Sequence, residues 1–321
     1  YDKQNDREVL RHGTKGNRLV AFEDFPKDYD AWEITEYYTE KSWEIDDVQR
    51  VTPVRDGVRA GLRVERKFLS STVTQTVWLY EHTPKIDFET DADWHEHHLL
   101  LKALFDTDIH TARATCNIQF GNLERSTLKN TTWDTARFEV LAHRFADLSE
   151  GNYGVALMND CKYGYSFGDG QIGLSLIKCA TDPNPVADIG AHRFTYSLYP
   201  HAGSVEQSDV QALSYALNQP MTATEIGEQT GDLPERFSLV SVDRENVIPE
   251  TVKAAEDGSG TIVRLYESAN SRTRVTVRFG IPAARVTVCD LQENELESLP
   301  VQDGAVTLTV KPYEIVTLKV R

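Results

Sequence analysis

Three short stretches of this 321-residue sequence carry residue types that could do chemistry. Asp91-Ala92-Asp93-Trp94-His95-Glu96-His97-His98 first suggests a metal site. On a strand, Asp91, Asp93, His95 and His97 would share one face, with about 6–7 Å between alternate side chains. That row could supply two ligands, but tetrahedral zinc also needs partners from other strands and groups that orient the imidazoles. A solvated or interdomain polar face opposite Ile86, Phe88 and Trp94 is the preferred reading. The second stretch, Phe22 to Trp32, interleaves Glu23, Asp24, Asp28 and Asp30 with Phe25, Tyr29 and Trp32. Carboxylates accept hydrogen bonds from sugar hydroxyls, and an aromatic face covers the apolar C–H side of a sugar ring. An acidic loop whose aromatic residues anchor it to the core explains the composition equally well.

The third stretch is Asn159-Asp160-Cys161-Lys162-Tyr163-Gly164-Tyr165, directly after the apolar run Gly154–Met158. It puts hydrogen-bonding groups at a strand end, where function often sits. Pattern alone favours a polar β-turn closing a hairpin into Ile172–Ile177. Cys161 has Lys162 beside it but no nearby histidine base, which argues against a thiol nucleophile. Carboxylates are plentiful enough for a glycosidic acid/base pair, yet no spacing identifies two that converge. The sequence contains no glycine-rich phosphate loop, no G-x-S-x-G and no H-E-x-x-H.

The elements that must position these groups are strands. Ile86, Phe88 and Trp94 alternate with Asp87, Glu89, Asp91 and Asp93. Cys116, Ile118 and Phe120 alternate with Thr115, Asn117 and Gln119, and the same period of two returns in Val306–Val310 and Val316–Val320. Asp56-Gly57, Gly168-Asp169-Gly170, Asp257-Gly258 and Asp303-Gly304 mark turns. The best helix lies over Val205–Leu217, with Ser204 as its cap and Val210, Leu213 and Leu217 on one face; a weaker version starts at Ser208. The fold class is therefore all-β, built from sandwiches. We place a first domain at residues 1–219, a polar linker at 220–234 between Gln219-Pro220 and Leu233-Pro234, and a second domain at 235–321. The last has the size and about seven short strands of an immunoglobulin-like sandwich.

Bulk properties exclude some partners. Lys and Arg number 34 against 50 Asp and Glu, a net charge of −16, so a polyanion such as nucleic acid is a poor fit. No apolar run approaches the ~18–20 residues needed to cross a bilayer, which argues against a membrane partner. Cys116, Cys161, Cys179 and Cys289 show no paired spacing, which points to a reducing, cytoplasmic setting rather than a disulfide framework. Asn130-Thr131-Thr132 is a glycosylation sequon of the kind that arises often by chance. The chain opens Tyr1-Asp2-Lys3 without Met or a signal-like segment and reads as a fragment.

Seven segments, in order and in register from near residue 1 to about residue 203, resemble the C-terminal half of family 38 α-mannosidases of the bacterial and cytosolic type. They are Phe22-Glu23-Asp24 with Trp32; Asp93-Trp94-His95-Glu96 with Leu100-Leu101-Lys102; and Ile118-Gln119-Phe120-Gly121 with Glu124-Arg125. Next come Asn130 to Asp134 with Ala136-Arg137-Phe138-Glu139; Ala142-His143-Arg144 with Asp147 to Glu150; Tyr153 to Leu157 with Asn159 to Gly164; and Tyr199-Pro200-His201. The resemblance implies a large mutarotase-like β-supersandwich followed by a smaller β-sandwich. It implies a parent enzyme that hydrolyses terminal α-mannosyl residues with retention, through attack by one carboxylate and proton donation by another. It places the nucleophile and one zinc ion in an N-terminal catalytic domain of the same polypeptide, leaving no catalytic residue, metal or cofactor to this fragment, which would be inactive alone. Asn159, Asp160, Lys162 and Tyr163, and secondarily Asp28, Asp30 and Trp32, are the expected rim of an α-mannoside pocket. An apolar face normally covered by the neighbouring domain is also expected, with a homo-oligomer as another way to cover it. Two other readings stand beside this one. One is a freestanding carbohydrate-binding or adhesive β-sandwich; the other is a mutarotase-like enzyme, which needs a histidine and a carboxylate converging on the concave sheet face.

Overall fold

Alternation builds the two large sheets of the first unit. A computed structural model describes residues 1–232 and 234–321; Leu233, within the expected linker, lies outside the described residues. The chain divides into two compact units, Tyr1–Ile118 with Leu123–Met221, and Gln119–Asn122 with Thr222–Arg321.

The strands are β1 (Arg18–Glu23), β2 (Ser42–Glu44), β3 (Val48–Asp56), β4 (Arg59–Phe68), β5 (Ser71–Tyr80), β6 (Ile86–Trp94), β7 (Leu99–Asp106) and β8 (Arg113–Ile118). They continue as β9 (Gly121–Ser126), β10 (Val140–Leu141), β11 (Phe145–Glu150), β12 (Tyr153–Asn159), β13 (Gly164–Gly168), β14 (Gln171–Ile177) and β15 (Gly190–Ala202). One sheet runs β10-β13-β14-β7-β1-β2 and the other β3-β4-β5-β6-β15-β12-β11-β8-β9, with antiparallel neighbours across the first and from β3 to β8 in the second. Their facing residues form the main core, where the Phe88 and Tyr196 rings stack at 5.0 Å and Trp94, Leu101, Phe105, Leu148 and Leu157 are fully enclosed.

The all-β expectation holds, and its local details shift. Cys116 faces the core, but its strand ends at Ile118, because Phe120 takes a positive φ of 53° in the turn to β9. Asp87, expected on a solvated face, is buried and accepts hydrogen bonds from Lys85 Nζ, Tyr80 and Ser197. The expected helix divides into two pieces. Ser204 caps a 3-10 turn at Val205–Gln207 through a reciprocal capping box, and the regular helix, Val210–Asn218, begins only after it. Val210, Leu213 and Leu217 do share a face, packed with Phe145, Met158 and Tyr199 on the outer side of the nine-stranded sheet. In the second unit, a three-stranded and a five-stranded sheet enclose Val263, Leu265, Val275, Val277, Val306 and Leu318.

Candidate functional site

The segment after β12 does not close a hairpin into Ile172–Ile177. β12 belongs to the nine-stranded sheet, whereas β13 and β14 pair with each other in the six-stranded one, so residues 160–163 carry the chain from one sheet to the other. Asn159 organises this crossover. It is buried, its side-chain oxygen accepts from the backbone of Cys161 and Lys162, and its amide donates to His143 O and Tyr165 Oη at 2.9 and 2.6 Å. Asp160 ties the segment to β15, accepting from Thr195 N at 2.9 Å and donating its own N–H to Thr195 O. Burial and the Asp160 carboxylate push the exposed Cys161 thiol up to about 11, which keeps it protonated and removes it as a nucleophile.

The next residues, Lys162 and Tyr163, leave the interior and line a cleft of about 520 Å³ on the outer side of the six-stranded sheet. The loop Ala31–Ile34 lines the same cleft, together with Glu139, Leu141, Ser175, Lys178 and His192. Tyr163 is 56% and Trp32 72% exposed, so both present broad aromatic faces to anything entering the cleft. Lys162 Nζ lies 4.5 Å from the centre of the Phe194 ring, where the cation meets the negative face of the π system.

Beneath the cleft lies a buried polar knot. Lys102, on the outward side of β7, is fully enclosed and forms an ion pair with Glu139. Tyr38 donates to the same carboxylate oxygen at 2.9 Å, and Ser175 Oγ reaches the other at 3.2 Å. Burial holds the Lys102 ammonium below its ordinary pKa in spite of Glu139. A second knot anchors the Trp32 loop. Asp24 pairs with Lys178, and burial raises the Asp24 carboxyl above its usual value despite that cation. Asp30 is buried as well, so it is not an open acceptor for a ligand hydroxyl; Asp28, by contrast, is exposed. Of the residues singled out from the sequence, Trp32, Lys162 and Tyr163 meet in one cleft, while Asn159, Asp160 and Asp30 hold its walls from inside. Glu139 and Lys178 were missed as members of the site. Lys102, set in the apolar run Leu99–Phe105, was the signal that a buried counter-ion had to exist.

The Asp91, Asp93, His95, His97 row is not a ligand set. β6 ends at Trp94, His95 Nε2 bonds Asp93 at 2.9 Å, and all four residues are exposed. Among the described residues no group of three His, Cys, Asp or Glu side chains is arranged to hold a metal ion. A histidine and a carboxylate do converge: His201 Nε2 lies 2.8 Å from Asp147 Oδ2, on the face of the nine-stranded sheet that carries the helix. Their side chains are 2% and 0% exposed, so the pair is closed to a substrate, which speaks against a mutarotase-like site. Among the described residues, no helix is long and apolar enough to cross a membrane.

Residues 1–186 match the model of the glycosyl hydrolases family 38 C-terminal domain, and residues 246–318 match that of the family 38 C-terminal beta sandwich domain. Alpha-mannosidase 2C1 of Mus musculus is 37% identical over 97% of the chain, and alpha-mannosidase G of Dictyostelium discoideum is 37% identical over 99%. The chain spans 31% and 30% of the lengths of these relatives. The crystal structure of an alpha-mannosidase from Enterococcus faecalis V583 superposes on 96% of the chain, and on 38% of its own, with a TM-score of 0.76 at 17% identity, a likeness of fold.

Proposed function

From the premise that this chain belongs to glycosyl hydrolase family 38, as part of its C-terminal region, we propose that it completes a retaining exo-α-mannosidase whose sugar pocket is rimmed by this cleft. The observation that carries the reading is that two exposed aromatic residues, Trp32 and Tyr163, line one cleft together with the polar side chains of Lys162, Glu139, Ser175, Lys178 and His192. An aromatic face covers the C–H side of a mannose ring, while Lys162 and the other polar lining groups bond its hydroxyls. Phe25, Tyr29 and Leu141 are exposed as well, and such apolar side chains suit contact with the catalytic portion of the same polypeptide. The zinc expected of the parent enzyme is assigned to that portion, and the four free thiols fit a cytoplasmic setting.

Hydrolysis of p-nitrophenyl α-mannoside by this chain and by the full-length gene product, with and without added zinc, tests the assignment. An inactive chain beside an active, zinc-dependent parent supports it; a parent that binds mannosides without cleaving them supports the carbohydrate-binding alternative. In the parent, Trp32→Ala should lower kcat/KM about five- to tenfold, the loss expected for about 1–1.4 kcal/mol of ring contact. Lys162→Ala and Tyr163→Phe should each lower it measurably. Unchanged kcat/KM in all three variants would make the cleft merely structural.

A further inference from the structure

We propose that Asp30 is a positioning residue that fixes Trp32 in the cleft wall by stapling its loop to the chain beyond β14; the inference rests on the reading of the cleft as a mannosyl subsite. Asp30 sits two residues before Trp32, inside a turn in which Tyr29 adopts a positive φ of 54° and Tyr29 O accepts from Trp32 N at 2.8 Å and Glu33 N at 3.0 Å. The turn sends the Asp30 carboxylate inward and leaves the indole outside. The carboxylate then takes three donors from one short segment that begins 151 residues further along the chain: Thr181 N at 2.6 Å, Thr181 Oγ1 at 3.0 Å and Asp182 N at 2.8 Å. Burial opposes the charge on Asp30, but these bonds outweigh it and hold its pKa below the usual carboxylate range.

His98 braces the staple. Its ring stacks on Phe25 at 4.2 Å, its Nδ1 lies 3.8 Å from Asp30 Oδ2, and its backbone oxygen accepts from Asp24 N at 2.8 Å. The Asp24–Lys178 pair fastens the start of the same loop to a residue that lines the cleft. The loop is otherwise exposed from Tyr29 to Glu33 apart from Asp30. An aromatic platform contributes to binding in proportion to how little ordering remains to be done when the ligand arrives. Without the staple, Trp32 remains in the sequence but its ring is no longer held ready.

The test is a double-mutant cycle in the full-length gene product, assayed on p-nitrophenyl α-mannoside. Asp30→Ala should raise KM by about the same five- to tenfold as Trp32→Ala with kcat unchanged, and the double variant should be no worse than Trp32→Ala alone, the non-additivity of residues that act as one. Thr181→Val, which removes only the hydroxyl donor, should raise KM less and have no effect in the Trp32→Ala background. It keeps the test decisive should Asp30→Ala fold poorly. Asp30→Asn, which retains one acceptor oxygen, should fall between wild type and Asp30→Ala. Multiplying factors, or unchanged KM in the Asp30 and Thr181 variants while Trp32→Ala raises it, overturns the inference. Unchanged KM in Trp32→Ala itself identifies the reading of the cleft as what failed, and the staple's role in binding falls with it.

Discussion

Replacing Lys102 by Met should destabilise the first unit by about 3–5 kcal/mol, the usual consequence of removing one partner of a buried ion pair. The lysine is enclosed among the outward side chains of the six-stranded sheet, and its ammonium is the cation paired with Glu139. Methionine fills a similar volume, so packing is largely kept. What changes is the carboxylate, left with the Tyr38 and Ser175 hydroxyls but no positive charge. Adding Glu139→Gln should recover much of the loss, since a neutral amide keeps one acceptor oxygen for the Tyr38 hydroxyl while its NH2 can donate to Ser175 Oγ. Urea unfolding followed by tryptophan fluorescence reads this directly, because Trp32, Trp43, Trp78, Trp94 and Trp133 all lie in the first unit. If Lys102→Met unfolds within about 1 kcal/mol of wild type, the Lys102–Glu139 pair contributes no more than an exposed ion pair does.

Gly154→Ala should cost about 2–3 kcal/mol, toward the upper end for overpacking a filled interior. Gly154 lies on β12 opposite His201 of β15 and Ser149 of β11. A Cβ there would collide with Ser149 Oγ and stand 2.5–2.6 Å from the His201 ring. Neither neighbour can swing clear, because both are tied to the buried Asp147 carboxylate. The strand must therefore shift, or the His201–Asp147 bond must break and leave polar atoms unpaired. Gly151→Ala is the control. No atom lies within 4 Å of the point where its methyl group would stand, and its cost should stay within about 0.5 kcal/mol. Equal midpoints for the two variants would show that the interior around Asp147 is loose.

Period-two alternation and turn residues determined that this protein is made of antiparallel sandwiches, since a half-buried strand must sort apolar from polar residues whatever it pairs with. Ser204 as a cap and the shared face of Val210, Leu213 and Leu217 were legible for the same local reason, whereas the break between the 3-10 turn and the helix was not. Pairing partners were not. Tyr153–Asn159 and Ile172–Ile177 look like the arms of one hairpin, yet Gly164–Gly168 intervenes and takes the second arm into the other sheet. Periodicity records which face of a strand is covered, but it carries no information about which strand lies beside it. The same limit governed the site. Trp32, Lys162 and Tyr163 were visible as residue types, but their meeting in one cleft depends on a chain crossing between sheets. Asp30 reads from the sequence as an open acceptor and Lys102 gives no hint of its partner, because charged groups are buried only where partners await them. Those partners, Thr181 and Glu139, stand 151 and 37 residues away, and only tertiary structure brings them within hydrogen-bonding reach.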